Sequence, residues 1–279
     1  MFLVHFGKPF PNYFELYLHS VGKNRSSINL IIITDQEVSL ERLPPNVILY
    51  EMAEDELRSR LRTFLRDAFS VTADPLPRGG SMYKLCDYRP FFSLVFADAL
   101  ADRRFSHAGW CDSDLIFGNL SLFFPEPCAF DMIGRMGHFT ALRNTAFFRE
   151  LPLKIPGIRR HIADTATACA FDEVALWLHL SRYYVRRNKV SLCDFYDEHF
   201  ADVIPEHLDQ FLLYHEVPAL PDQHFRYEDG RLLRVGGGRQ IETVYAHFQK
   251  RPMEVRLRKD FRPEGSLCFV VRPNCFIHM

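Results

Sequence analysis

Apolar positions along this chain change rhythm several times, and each rhythm predicts an element. Phe2 to Phe6 is short, apolar and aromatic, and Gly7-Lys8-Pro9 closes it, which predicts a first strand and then a loop. Ile28 to Thr34 is nearly continuous and β-branched, the pattern of a parallel strand covered on both faces. It ends at Asp35, a polar residue where a strand's carboxyl end would lie. Beyond the turn at Pro44-Pro45-Asn46, Val47 to Tyr50 predicts a short third strand. Leu57, Leu61, Phe64, Leu65, Ala68 and Phe69 then recur on one helical face, with arginines opposite. Pro75 to Gly80 reads as a loop, and Pro90 as the first turn of a second helix running through Phe92 to Leu100. Phe105 to Trp110 predicts a strand that runs into Cys111-Asp112-Ser113-Asp114.

The second half is more mixed. Asp172 to Ser181 and Pro205 to Tyr214 predict helices. Phe225 to Val235 predicts a hairpin about Asp229-Gly230, a favoured two-residue turn. Thr243 to Phe248 and Cys268 to Val271 predict late strands, and Gly236-Gly237-Gly238 a flexible loop. No internal repeat, low-complexity segment or linker interrupts the chain. Strands alternating with helices predict an α/β sheet with ligands gathered at the strands' carboxyl ends, in a single domain over 1–279.

Composition narrows the partners. The chain has 279 residues, 47% of them hydrophobic, and its 26 Phe, 11 Tyr and 2 Trp can fill a large core. Lys plus Arg is 34 against 35 Asp plus Glu, a net charge of −1, which argues against a nucleic-acid partner. The 7 cysteines are odd in number and scattered, with no CxxC spacing, so they read as reduced thiols of a cytoplasmic protein. The first residues are too short and uncharged for a signal peptide, and no apolar run is long enough to span a bilayer. Arg159, Arg160, Arg182, Arg186, Arg187 and Lys189 read first as a solvated helix face, with peripheral membrane contact as the alternative.

The sharpest chemical signal is Trp110 to Gly118. Asp112 and Asp114 stand two apart just past an apolar strand, so extended backbone turns both carboxylates to one side. Two carboxylates so placed suit Mg²⁺ or Mn²⁺, which keep open positions for substrate phosphates. The plain alternative is a strand-end turn, where Asp and Ser are common. Upstream, Tyr83 to Pro90 concentrates Lys84, Asp87 and Arg89 before a helix, either a phosphate-facing set or a charged capping segment. In Tyr245 to Arg251, alternation sets His247 opposite the apolar Val244, Ala246 and Phe248, with Lys250 and Arg251 following. That arrangement offers a metal ligand with phosphate-binding cations, or a surface histidine beside a solvated pair. His138 reads as a strand histidine, and Asp172 as a helix N-cap.

Taken in order, the segments Phe6-Gly7-Lys8 to Phe14, LIIITD, PPNV, YKLCDYRP, GWCDSDLIFGNL, GHFTALRN, AFDE and HFQKRPM resemble a poorly characterised bacterial polysaccharide-biosynthesis family of GT-A type glycosyltransferases. The resemblance covers about Phe6 to Phe276; the first strand is short for it, and Arg182 to Gln223 carries no matching motif. It implies a GT-A-like, Rossmann-like fold with a mixed central sheet flanked by helices, residues 1–120 forming the nucleotide-binding half and 121–279 the acceptor half. It implies Asp112, Asp114 and His247 on Mn²⁺ or Mg²⁺, with Asp112 also toward the ribose and diphosphate. Asp35 would lie near the base or ribose, Lys84 and Asp87 near the donor sugar or its phosphates, and Lys250 beside the leaving phosphate. Asp172 and Glu173 would be the acids at the reacting sugar. The implied donor is a nucleotide-diphosphate sugar, UDP favoured, with a retaining course. The acceptor would be a glycan or lipid-linked saccharide at the inner face of the cell membrane. Two other readings stay open: a metal-dependent phosphoryl hydrolase, for which the usual DxDx[TV] signature is missing, and a non-catalytic carbohydrate- or protein-binding module.

Overall fold

The computed structural model describes all residues except 78–81, 102–103, 165–166, 188, 195–198, 205, 208–209, 214–219 and 258–264. The strands of the first part are β1 (Phe2–His5), β2 (Leu30–Thr34), β3 (Val47–Glu51), β4 (His107–Cys111), β5 (Leu115–Phe117), β6 (Met132–Met136), β7 (Phe139–Arg143) and β8 (Leu192–Cys193). Those that follow are β9 (Phe200–Asp202), β10 (His224–Glu228), β11 (Arg231–Gly236), β12 (Arg239–Glu242), β13 (Tyr245–His247), β14 (Glu254–Arg256), β15 (Cys268–Arg272) and β16 (Cys275–His278). The longer helices are α1 (Phe14–Lys23) and α2 (Glu54–Phe69).

The fold is mixed α/β. The main sheet has the order β3-β2-β1-β4-β7-β6-β8. Strands β3, β2, β1 and β4 are parallel, while β7 runs antiparallel to both β4 and β6. Strand alternation divides the core. Leu3, Leu30 and Ile32 pack toward α1, whereas Phe2, Ile31 and Ile33 pack toward α2. Burial on both faces is why β2 reads as an unbroken LIIIT. A six-stranded sheet, β12-β11-β10-β15-β16-β14, closes over α1, with Tyr13 against Phe276 at 5.1 Å between ring centroids. The three-stranded sheet β5-β13-β9 joins the early and late parts of the chain. The halves set apart at residue 120 are thus paired across it, through β4 with β7 and β5 with β13.

Several expected elements differ. The loop expected after β1 gives way to α1, whose Phe14, Tyr17, Leu18 and Val21 recur at helical spacing on one buried face. Pro90 lies inside a 3-10 stretch, Met82–Phe91, and the helix beyond it, Phe92–Val95, is a single turn. The helix expected from Asp172 begins at Ala175 and ends at Tyr183. Within Pro205 to Tyr214, residues 205, 208–209 and 214 lie outside the described residues, and Leu213 bridges Val203 in antiparallel register where a helix was expected. Residues 78–80 of the Pro75 to Gly80 loop also lie outside the described residues. The glycine run is a tight turn between β11 and β12: Gly237 and Gly238 take φ of 54° and 74°, which a two-residue hairpin turn of this kind requires.

The chain leaves β1 through α1 toward β2 and β3 on one side, and β4 lies on β1's other side. This is a topological switch point, where open parallel sheets leave a crevice past the strand ends. Strands β1 and β4 pair through Phe2 and Trp110. A cavity of about 680 Å³ opens there, lined by Gly7 and Lys8 after β1, Asp112 and Ser113 after β4, and Lys250.

Candidate metal centre

Register in the small sheet builds the site. In β13, His247 pairs antiparallel with Leu115 of β5 and parallel with Asp202 of β9. Asp114, one residue before β5, and Asp202, the last of β9, are thereby brought to the two sides of His247. His247 Nε2 lies 3.4 Å from Asp114 Oδ1 and 3.7 Å from Asp112 Oδ2, and its Nδ1 lies 2.9 Å from Asp202 Oδ1. The ligand atoms of Asp112, Asp114 and His247 all fall within 4.8 Å of one another. His247 is 4% exposed, so the surface reading of this histidine is corrected: alternation does turn it away from Ala246, but into a second buried layer.

The backbone tightens the arrangement. Gln249 and Lys250 both take left-handed φ, 53° and 56°, which is uncommon for residues with a Cβ. The turn delivers the Lys250 amide N–H to Asp114 Oδ2 at 2.6 Å. Asp114 Oδ1 is buried and receives no hydrogen bond, and it faces His247. Burial opposes ionisation of Asp114, yet His247 and then Lys250 hold its pKa down to about 2. Burial likewise works against a charge on His247, but the Asp114 and Asp202 carboxylates raise its pKa to about 10.

Behind His247, Asp202 also accepts from Gln249 Nε2 at 2.8 Å. The His138 ring lies 4.2 Å from that of His247, and Tyr245 Oη is 3.1 Å from His138 Nδ1. Asp202 appeared nowhere among the expected site residues. No local motif marks it, since its place depends on pairing with a strand 45 residues away.

Arg89 occupies the other wall. Its Nη1 donates to the Gly137 carbonyl at 2.8 Å and to Asp172 Oδ2 at 2.9 Å, and its Nη2 donates to Asp112 Oδ1. Burial opposes the cation, and Asp112 and Asp172 hold it charged. Asp172 caps no helix: Val174 holds the N-cap position of the helix Ala175–Tyr183, without a side-chain cap. Burial lifts the Asp172 pKa to about 6, with Arg89 pulling the other way. Glu173 Oε1 accepts from the Gly137 amide at 3.1 Å. Arg89, Asp112, Asp114, Asp172, Glu173 and His247 line a recess of about 140 Å³, and Lys250 lines both this recess and the larger cavity.

Lys84 and Asp87 do not reach either cavity. They are 2% and 0% exposed and pair at 2.8 Å. Lys84 donates to the carbonyls of His161 and Thr167, and Asp87 accepts from the amides of Cys169 and Phe171. Their expected place at the phosphates is corrected to an internal clamp on the backbone of His161, Thr167, Cys169 and Phe171, next to Asp172. Asp35 accepts from the Gly7 amide at 3.1 Å, holding the loop that lines the larger cavity without lining it itself.

The sequence profile of one family spans residues 1–279. The chain belongs to DUF6625, a family of unknown function. No curated protein and no solved structure matches this DUF6625 chain. Its seven cysteines are free thiols, and among its described residues no helix is long and apolar enough to cross a membrane.

Proposed function

We propose that this DUF6625 protein is a metal-dependent glycosyltransferase of GT-A type, drawing a sugar from a nucleotide-diphosphate donor. The observation that carries the reading is the convergence of Asp112, Asp114 and His247 past the carboxyl end of β4, in a recess that shares Asp112 with a larger cavity at a topological switch point. The cavity's 680 Å³ is of the size that small ligands occupy. The donor set fits a divalent cation: two carboxylates and one imidazole whose ligand atoms converge, with the buried Asp114 Oδ1 turned toward His247. Mn²⁺ or Mg²⁺ held there would supply Lewis-acid neutralisation of charge on the leaving diphosphate.

The chain's own groups do the rest. Lys250 stands at the junction of the two cavities, where a cation favours a diphosphate. Arg89 fixes the orientation of Asp112 and Asp172 together. Asp172, with its pKa near 6, or Glu173 beside it would either accept the proton of an acceptor hydroxyl or set negative charge where positive charge grows on the sugar. The bacterial polysaccharide setting, the glycan or lipid-linked acceptor, the UDP preference and the retaining course rest on the sequence resemblance.

Thermal melting with UDP, GDP, CDP and ADP, each with and without Mn²⁺, tests the reading. A ligand that binds only the folded state raises the midpoint by mass action. The expected result is a rise that needs both one nucleotide and the metal, and that disappears in the Asp112→Ala, Asp114→Ala double variant. Equal nucleotide affinity in that variant would overturn the reading. Phosphate release from simple esters without an acceptor would move it to a hydrolase.

A further inference from the structure

The helix Ala175–Tyr183 buries Leu176 and Leu180, at 1% and 0% exposure, against the core that also holds α2. On an ordinary surface helix the opposite face is polar. Here Val174 and Leu178, one turn apart, are 53% and 61% exposed, and Arg182 follows one turn further on the same stripe. Beside them Tyr183 is 38% exposed, and Phe147, 44% exposed, packs edge-on to Tyr184. The guanidinium groups of Arg182 and Arg187 lie over the Tyr183 ring at 5.5 and 5.8 Å. From Val174 to Lys189 the chain carries Arg182, Arg186, Arg187 and Lys189 and no acidic residue. Elsewhere Arg159 and Arg160 are exposed as well, while Lys154 pairs with Glu150 at 3.6 Å.

Exposed aliphatic and aromatic side chains set among cations describe a helix that lies in a membrane interface, with its apolar stripe in the acyl boundary and its arginines at anionic headgroups. We propose that this face docks on an anionic lipid surface. The charge complementarity selects the occupant: four cations without a counter-charge on the segment match a negative leaflet, while the aliphatic stripe matches its acyl layer. The inference does not rest on the proposed chemistry, and its test uses no turnover.

Co-sedimentation of the full chain with vesicles of phosphatidylglycerol mixed into phosphatidylcholine, against phosphatidylcholine alone, decides it. The expected result is binding to the mixed vesicles only, weakened by salt. The Arg186→Glu, Arg187→Glu variant should bind about tenfold or more weakly, and Val174→Ser, Leu178→Ser should also lose binding at low salt. All four positions are exposed, so unchanged thermal midpoints are expected and serve as the folding control. Absence of wild-type binding to the mixed vesicles overturns the proposal, as does equal binding by both variants. Capture of an acidic protein without vesicle binding would reassign the face to a protein partner.

Discussion

Loading of a divalent cation at Asp112, Asp114 and His247 should expel a proton. Burial alone would leave His247 neutral, but Asp114 at 3.4 Å and Asp202 at 2.9 Å raise its pKa to about 10. A metal takes the neutral imidazole, so this proton must leave first. At neutral pH the protonated form outweighs the competent one, and apparent affinity should climb as pH rises. Asp114, held down to about 2, brings no competing proton in that range. Mn²⁺ titration calorimetry in buffers of different ionisation enthalpy should report about one proton released per ion. In His247→Gln the affinity should fall further and its pH slope should vanish. PH-independent binding by the wild type, without proton release, would refute the reasoning, because either the histidine is not a ligand or its two carboxylates do not hold it charged. The same proton sets the stability of the ion-free protein. A histidine pKa raised above its unfolded 6.5 contributes stability that is full below that value and lost as pH rises through about 10.

Other perturbations separate the roles of neighbouring residues. A Cβ on Gly137 would lie 2.6 Å from Glu173 Cγ and 2.7 Å from Asp172 Oδ2, inside the ~3.5 Å contact distance. Gly137→Ala should therefore displace both acids by about 1 Å and lower transfer ~100-fold, with Mn²⁺ and nucleotide affinity unchanged; undiminished turnover would remove the acids from the chemistry. Asp202→Asn removes one of the two carboxylates that hold His247 charged, so the pH dependence of Mn²⁺ affinity should move to lower pH; an unmoved dependence would make Asp202 a packing residue only. Lys84→Met leaves Asp87 buried without its cation, which should cost about 3–5 kcal/mol in a urea or thermal melt. Metal affinity of the folded variant should be unchanged, and lost nucleotide affinity at full stability would return Lys84 to the donor site.

The legible parts of this protein are those set by neighbours in sequence. Strand β2 announces itself by five consecutive apolar or β-branched residues, α2 by its one-sided leucines and phenylalanines, and the β10–β11 hairpin by Asp229-Gly230 with φ of 48° and 102°. The Asp112–Asp114 pair was visible as two carboxylates just past a strand, although Ser113 and Asp114 form a bend between β4 and β5 and not the expected extended backbone. Helix α1 was equally legible, since Phe14, Tyr17, Leu18 and Val21 stand at i, i+3, i+4 and i+7, but that pattern was passed over as part of the loop after Gly7-Lys8-Pro9. Lys84 and Asp87 were misread, and Asp172 carried a capping alternative that fails, because charge near a helix start has two uses and only packing selects between them. The sequence by itself thus determined the α/β alternation and the pair of carboxylates at a strand's end. Tertiary structure alone decided that β13 slides between β5 and β9 in the one register that sets His247 between Asp114 and Asp202. It also placed Arg89 across Asp112 and Asp172. Those contacts join residues 23 to 136 positions apart, and sheet register and burial select such partners, which no local pattern encodes.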